Sequence, residues 1–321
     1  MTKNSIAAVG PASKAGSLRR VLADHVTYAI FGCVTLFFLI AAPHFASLAT
    51  AAAILRITAI VSVIAVGMTF VIVAGEIDLS VGSVASFAGM VLSLLLQADY
   101  APWLAALLVV TMSAAIGAVN GLLVTLLRIP SFLVTLGMLS VFSGGALTLT
   151  DTMPVPIVED SIGTLLWNGQ FLAIPAPIWW TLGTMLIGVF LLHLSLFGRR
   201  VFATGGNAVA AQFSGISTRR IKVWTFVLSS TSAALAGMML AARSGTGNPS
   251  MGVGLELDVI AAVIIGGTSL FGGYGTILGS VIGAIFIGII GFGLLVMGFS
   301  TTIQEIIKGG IIILAVSVNR R

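Results

Sequence analysis

Apolar residues run along this chain in ten long blocks separated by short polar or glycine-rich gaps. The blocks cover 24–42, 50–74, 79–97, 101–127, 130–150, 177–196, 221–242, 257–271, 276–297 and 303–318. A helix needs about 20 mostly apolar residues to cross the hydrocarbon of a bilayer, and most of the blocks reach that length. The eighth is short, and Gly245, Gly247, Gly252, Gly254, Gly266 and Gly267 crowd around it. That pattern predicts a broken or re-entrant helix, because irregular backbone at membrane depth survives only inside protein or beside a cavity. The expected fold is all-α: a polytopic membrane protein with about ten transmembrane helices over 24–318. A cytoplasmic tail over 1–23 and a short cytoplasmic C-terminus over 319–321 flank it.

Composition sharpens this reading. The chain is 58% hydrophobic and only 8% charged, against about 25% charged residues in soluble domains. Too few charges exist to coat a globule, so lipid must bathe most of the surface. The net charge of +5 could suggest nucleic acid. The basic residues instead form short groups between apolar blocks, as membrane topology requires. No nucleic-acid partner is expected. Cys33 is the only cysteine, and His25, His44 and His193 are far apart in sequence; neither a disulfide nor a metal site is expected. The first block lacks a convincing small-residue cleavage site, so it reads as a retained span.

Orientation follows from the basic residues. Ten crossings with both termini in the cytoplasm place twelve of the 15 Lys and Arg there, in the N-terminal tail, at Arg128, between Arg199 and Lys222, and at Arg320 and Arg321. The exceptions are Arg56, Arg243 and Lys308. Asp99, Asp151, Glu159 and Asp160 fall outside, and Trp103, Trp167, Trp179 and Trp180 lie near outer span ends, where indoles favour the headgroup zone. A faint echo links the two halves: Gly75-Glu76-Ile77-Asp78-Leu79 returns as Gly254-Leu255-Glu256-Leu257-Asp258. The two copies fall on opposite sides, as two inverted five-helix repeats would place them.

Three positions could carry function. Around Gly75, Glu76, Asp78, Ser80 and Gly82, two carboxylates stand beside the membrane, where they are costly unless hydrated or paired. Asp78 or Ser80 can cap the following helix; a hinge or an ion site is the sharper reading. In the loop after the sixth block, residues 207–213 read as a short helix with Asn207 as N-cap and Gly215 as its stop. Ala208, Ala211 and Gln212 share one face at helical spacing, suited to close docking, although a plain interhelical loop would look the same. In the last block Glu305 and Lys308 stand three apart and can neutralise each other. Gly117–Gly121, Gly275–Gly279 and Gly279–Gly283 have the spacing for tight helix packing. No phosphate-binding loop of the G-x-x-x-x-G-K-[ST] type, H-E-x-x-H or G-x-S-x-G is present, so no enzyme activity is expected of this chain.

Val66-Gly67-Met68-Thr69 followed by 75–83, Gly205-Gly206-Asn207 with Ser214-Gly215-Ile216, and 256–270 together resemble the signature of bacterial ribose-type ABC importer permeases, over about residues 30–318. The resemblance implies an inner-membrane permease that moves a simple sugar by alternating access. It implies a cytoplasmic ATPase with tandem nucleotide-binding domains, which would hold ATP and Mg and dock on a coupling loop at 197–220. It also implies a periplasmic sugar-binding protein and a second permease copy, identical or homologous. Carried over by position, Gly205, Gly206, Asn207, Ala208, Ala210, Ala211, Ser214 and Gly215 would form the ATPase-coupling loop. Gly75, Glu76, Asp78, Ser80, Gly82, Glu256, Asp258, Gly266 and Gly267 would be family motif or hinge positions. Asn120, Ser131, Thr135, Ser140 and Ser143 are candidates for the translocation path, since a sugar needs hydrogen-bonding groups; Ser and Thr also satisfy helix backbone. The competing expectation is a carrier driven by an ion gradient, using Glu76 and Asp78 without partners.

Overall fold

A computed structural model describes residues 31–43 and 45–318. The expected tails at 1–23 and 319–321, and the start of the first block, lie outside the described residues. Helices dominate: α1 (Phe31–Ala41), α2 (Leu48–Val73), α3 (Val81–Gln97), α4 (Pro102–Leu126), α5 (Ser131–Leu149), the short α6 (Asp160–Gly163), α7 (Ala176–Val189), α8 (Leu196–Gly206), α9 (Ala208–Phe213), α10 (Thr218–Ser244), α11 (Leu255–Ile265), α12 (Ile277–Val296) and α13 (Thr301–Val318). A wider π-turn extends α7 to Leu194. Among the described residues, six helices are long and apolar enough to cross a membrane: α2, α4, α5, the extended α7, α10 and α12. Two-residue antiparallel ladders at Val155–Pro156 with Thr246–Gly247, and at Gln170–Phe171 with Ile174–Pro175, fasten the 151–176 segment.

One end of the bundle carries the exposed Arg128, Arg199, Arg200, Arg219 and Arg220, and is called here the basic end. α2 arrives there at Val73, whose carbonyl oxygen accepts from Gly273 N. α10 leaves from there, with Lys222 beside Glu76, and reaches the opposite end at Arg243. α2 and α10 form the centre. They pack on each other, and α10 also packs on α3 and α4. α5 and α7 stay largely uncovered, their apolar faces turned outward as a lipid-bathed helix requires.

Two of the three glycine spacings act between helices; Gly275 lies before α12 and packs on Thr268 and Val73 instead. A Cβ on Gly117 would meet the Phe226 carbonyl at 2.4 Å, and one on Gly121 the Val223 Cα at 2.6 Å. These two positions let α4 and α10 approach backbone to backbone. Gly279 and Gly283 do the same for α12 against Gly266 and Ala262 of α11.

The expected break before the eighth block is present. After α10 the chain turns back along α3. Gly247 lies by Ser93, and Gly252 lies by Gly82 and donates its amide N–H to Ser86 Oγ at 2.8 Å. α11 starts only at that depth, about 20 Å from the end of α3 at 1.5 Å rise per residue, and continues toward the basic end. α3 likewise starts inside the protein, after an irregular stretch at 76–78. The two interrupted helices run in opposite senses, and their first turns meet: a Cβ on Gly82 would stand 2.2 Å from Glu256 Oε2 and 2.4 Å from Gly252 O. The sequence echo therefore marks two helix starts that touch.

Candidate functional site

The segment 74–83 is where the bundle converges. α2 ends on Gly75, whose φ of +82° suits a residue without Cβ. Gly75 N and Glu76 N close the last turn on Ile72 O and Val71 O. Beyond it, Lys222 Nζ of α10 donates to Glu76 Oε1. Asp78 is fully buried. Its carboxylate accepts from Ser80 N at 3.0 Å, Ser80 Oγ at 2.6 Å and Ser229 Oγ of α10 at 2.8 Å. These charge-assisted bonds are what make a buried carboxylate tolerable. Of the two caps expected for α3, Ser80 makes none with its side chain, while Asp78 accepts the Ser80 amide at the helix start. The Ser80 hydroxyl lies instead between Asp78 and Asn120 Nδ2, which donates to it at 3.0 Å.

The exposed backbone of the loop is met from α5. Ile77 N donates to Ser131 Oγ at 3.1 Å and Leu79 N to Thr135 Oγ1 at 3.0 Å. Three of the five residues expected along a path, Asn120, Ser131 and Thr135, thus have polar groups engaged with this loop. Ser140 is exposed and Ser143 half-buried on α5.

At the second break, Gly254 N donates to Glu256 Oε1 at 3.3 Å, and Lys308 Nζ of α13 donates to Asp258 Oδ2 at 2.9 Å. The expected Glu305–Lys308 pair is therefore corrected: Lys308 reaches across to the neighbouring helix. Glu76 and Asp258 each have a lysine. Of the two carboxylates expected for an ion-coupled carrier, Glu76 is paired with Lys222, whereas Asp78 is held by hydroxyl and amide donors. Gly266 and Gly267 turn the chain at the end of α11, with Gly266 Cα packed on Gly279 and Gly267 at φ +88°.

α8 and α9 form a ledge at the basic end. Asn207 Oδ1 caps α9 by accepting from Ala210 N at 3.0 Å. Gly215, at φ +81°, stops it, with Ile216 N on Ala211 O. The expected short helix is present, but its outward face differs. Ala211 is buried at 5% and Ala208 half-buried; of the expected face only Gln212 is exposed, its amide donating to Thr218 Oγ1. The face toward solvent carries Val209, Ala210, Phe213 and Ser214, with Phe213 90% exposed. Phe213 escaped the sequence reading. The available signal was its spacing of four from Val209, an apolar pair on a helix otherwise made of three alanines and Gln212.

Behind the ledge, Gly205 has no room at all. A Cβ there would lie 1.8 Å from Val73 O and 2.7 Å from Gly273 N. Gly272 presses on Gly205 O and on Gly75, each within 3.0 Å of its own notional Cβ, and Gly273 on Gly206. Backbone thus meets backbone where α8, the α2–α3 loop and the α11–α12 loop come together. No cluster of three His, Cys, Asp or Glu that could hold a metal occurs among the described residues.

The family described as "Branched-chain amino acid transport system / permease component" matches residues 50–316. A probable ABC transporter permease, YphD of Escherichia coli K12, is 40% identical over 96% of this chain and 94% of its own length. The L-arabinose ABC transporter permease AraH of Azospirillum brasilense is 36% identical over 97% and 91%. The ribose import permease RbsC of Bacillus subtilis is 39% identical over 84% of each. No solved structure matches. With a match over most of its length and relatives of this kind along nearly all of it, the chain belongs to the family of permease components of sugar-type ABC importers.

Proposed function

We propose that this chain carries a monosaccharide, ribose-like or a related simple sugar, inward across the bacterial inner membrane by alternating access. The names of the ribose and arabinose permeases among its relatives support the substrate class. The basic end faces the cytoplasm by the positive-inside rule, and α1, α3, α11 and α13 complete ten helices around the six long spans. ATP and Mg belong to a separate ATPase with tandem nucleotide-binding domains. A periplasmic sugar-binding protein delivers substrate, and a second permease copy completes the path. The uncovered face of α5, where nothing approaches within 4 Å of a Cβ on Gly137 or Gly144 and where Ser140 is exposed, is where this copy would contribute to that path.

The observation that carries the reading is α9. It is a six-residue helix, capped at both ends, that turns Val209 and Phe213 into water. Exposing a phenyl ring on a rigid ledge is unfavourable for an isolated chain and sensible for one that fills a partner's pocket. ATPase closure would move this ledge, and the Gly205 contact would pass the movement to both interrupted helices. The test is Phe213→Ala in the assembled transporter. Sugar uptake in proteoliposomes should fall by roughly tenfold or more, as for a residue at the centre of an interface, while the purified permease unfolds at the same temperature. Unchanged uptake and unchanged ATPase retention would remove α9 from the coupling role.

A further inference from the structure

At the end opposite the basic one, a cleft of about 380 Å³ is lined by Ala49, Ala52, Ala53, Arg56, Ile57, Trp167, Pro175 and Arg243. Arg56 Nη2 donates to Trp167 O at 2.9 Å. Its guanidinium carbon lies 4.9 Å from the centre of the Trp167 ring, and that of Arg243 lies 5.4 Å from the same ring. Trp167 is buried at 7%, so it serves as a platform holding two cations rather than as a headgroup anchor, correcting its sequence reading. Arg56 Nε is buried and has no hydrogen-bond partner. Among the described residues the ion pairs are Glu76–Lys222 and Asp258–Lys308; no carboxylate approaches either arginine.

Two guanidiniums held at one ring, one with a buried idle N–H, form a receptor for an oxyanion. Cation–π contact orients them but leaves their charge uncompensated, and the forked donors of arginine match phosphate. The apolar side of the cleft identifies the source. Ala49, Ala52, Ala53 and Ile57 belong to the first turns of α2, and Leu48, 88% exposed, begins the same helix at the bundle's edge. A ligand seated here meets charge on one side and a greasy helix on the other. We propose that this cleft seats the phosphate of an anionic phospholipid headgroup, with the acyl chains lying along the start of α2. It explains why Arg56 and Arg243 lie at the end that the topology otherwise keeps free of basic residues.

The test is lipid retention by the full chain, purified in detergent and read by native mass spectrometry, with phosphatidylglycerol or phosphatidylcholine added. The parent should retain phosphatidylglycerol over phosphatidylcholine, and R56Q/R243Q should lose that preference by roughly tenfold, the scale of charge-assisted bonds. R243Q alone, at an exposed position that cannot collapse the fold, should weaken it measurably, and R56K/R243K should keep part of it. Excess glycerol phosphate should not displace the lipid; if it does, the source is a soluble phosphate and the lipid assignment fails. Equal retention by parent and R56Q/R243Q overturns the proposal. So does unchanged lipid retention with weakened capture of the delivery protein, which would give the two arginines to an acidic protein surface.

Discussion

Gly205 and Gly206 are neighbours at the end of α8, and helix propensity treats them alike. Alanine at either would favour helix by up to about 1 kcal/mol. Packing separates them. The Cβ of Gly205→Ala would stand 1.8 Å from the Val73 carbonyl oxygen, where ordinary contact needs ~3.5 Å. Both nearest atoms are main chain, so no side chain can rotate away. The same carbonyl accepts Gly273 N at 2.9 Å, and separating α8 from α2 puts that bond at risk. Overpacking costs about 1–3 kcal/mol and the strained bond about 1 kcal/mol more. Against the propensity gain, Gly205→Ala should lose about 2 kcal/mol. For Gly206→Ala the nearest heavy atom is Gly273 Cα at 4.0 Å, so this variant should stay within about 0.5 kcal/mol of the parent. Thermal unfolding of the purified chain reads the stability difference, and ATP-driven uptake with the partner subunits reads the coupling. Gly205→Ala should lose both. Equal unfolding temperatures and equal uptake for the two variants would show that the glycine contact carries neither stability nor movement.

Asp78→Asn keeps the shape but has one acceptor oxygen where three donors converge; it should cost about 2 kcal/mol in thermal unfolding, more than Ser229→Ala. Glu76→Gln and Lys222→Gln should each destabilise, while the double variant recovers part of the loss. A double-mutant cycle should return a coupling of about 1–2 kcal/mol, and additive effects would mean that the pair contributes nothing. Lys308→Gln should destabilise by about 1–2 kcal/mol because it strands Asp258, whereas Glu305→Gln should be silent within about 0.5 kcal/mol, the reverse of what their spacing in sequence suggests.

Local rules made much of this legible. The Asn207 cap, the Gly215 stop and the α4–α10 glycine seam depend on residues within a turn or two of each other, and the sequence carries them directly. The break before α11 was readable because glycine crowding at membrane depth has few physical meanings. What remained hidden depends on long-range partners. Lys308 has two acids within reach, one on its own helix and one on α11, and only the fold decides between them. Ser131 and Thr135 look like pathway hydroxyls until the loop amides of Ile77 and Leu79 arrive beside them. Ala211 looks available for docking until α9 is laid against its neighbours, and Phe213 is then the side chain left in water.

The site is stiff in one place and yielding in another. Asp78 is sealed, and its bonds to Ser80 and Ser229, with Asn120 behind, tie the first turn of α3 to α10. Breaking them would leave a buried carboxylate unpaired, which costs several kcal/mol. Glu76 and Lys222 are more accessible, with side chains 11% and 23% exposed, so water can replace their partner at far lower cost. In the proposed coupling role, a push on α9 would pass through Gly205 to Val73 and Gly273, where backbone meets backbone. The α2–α3 loop then has one inexpensive way to respond: release at Glu76 while the Asp78 cluster stays whole. On that proposal the first turn of α3, tied to α10 through Asp78 and Ser229, would move with α10 as a unit. Because Gly82 lies against Gly252 and Glu256, the first turn of α11 would be carried with it.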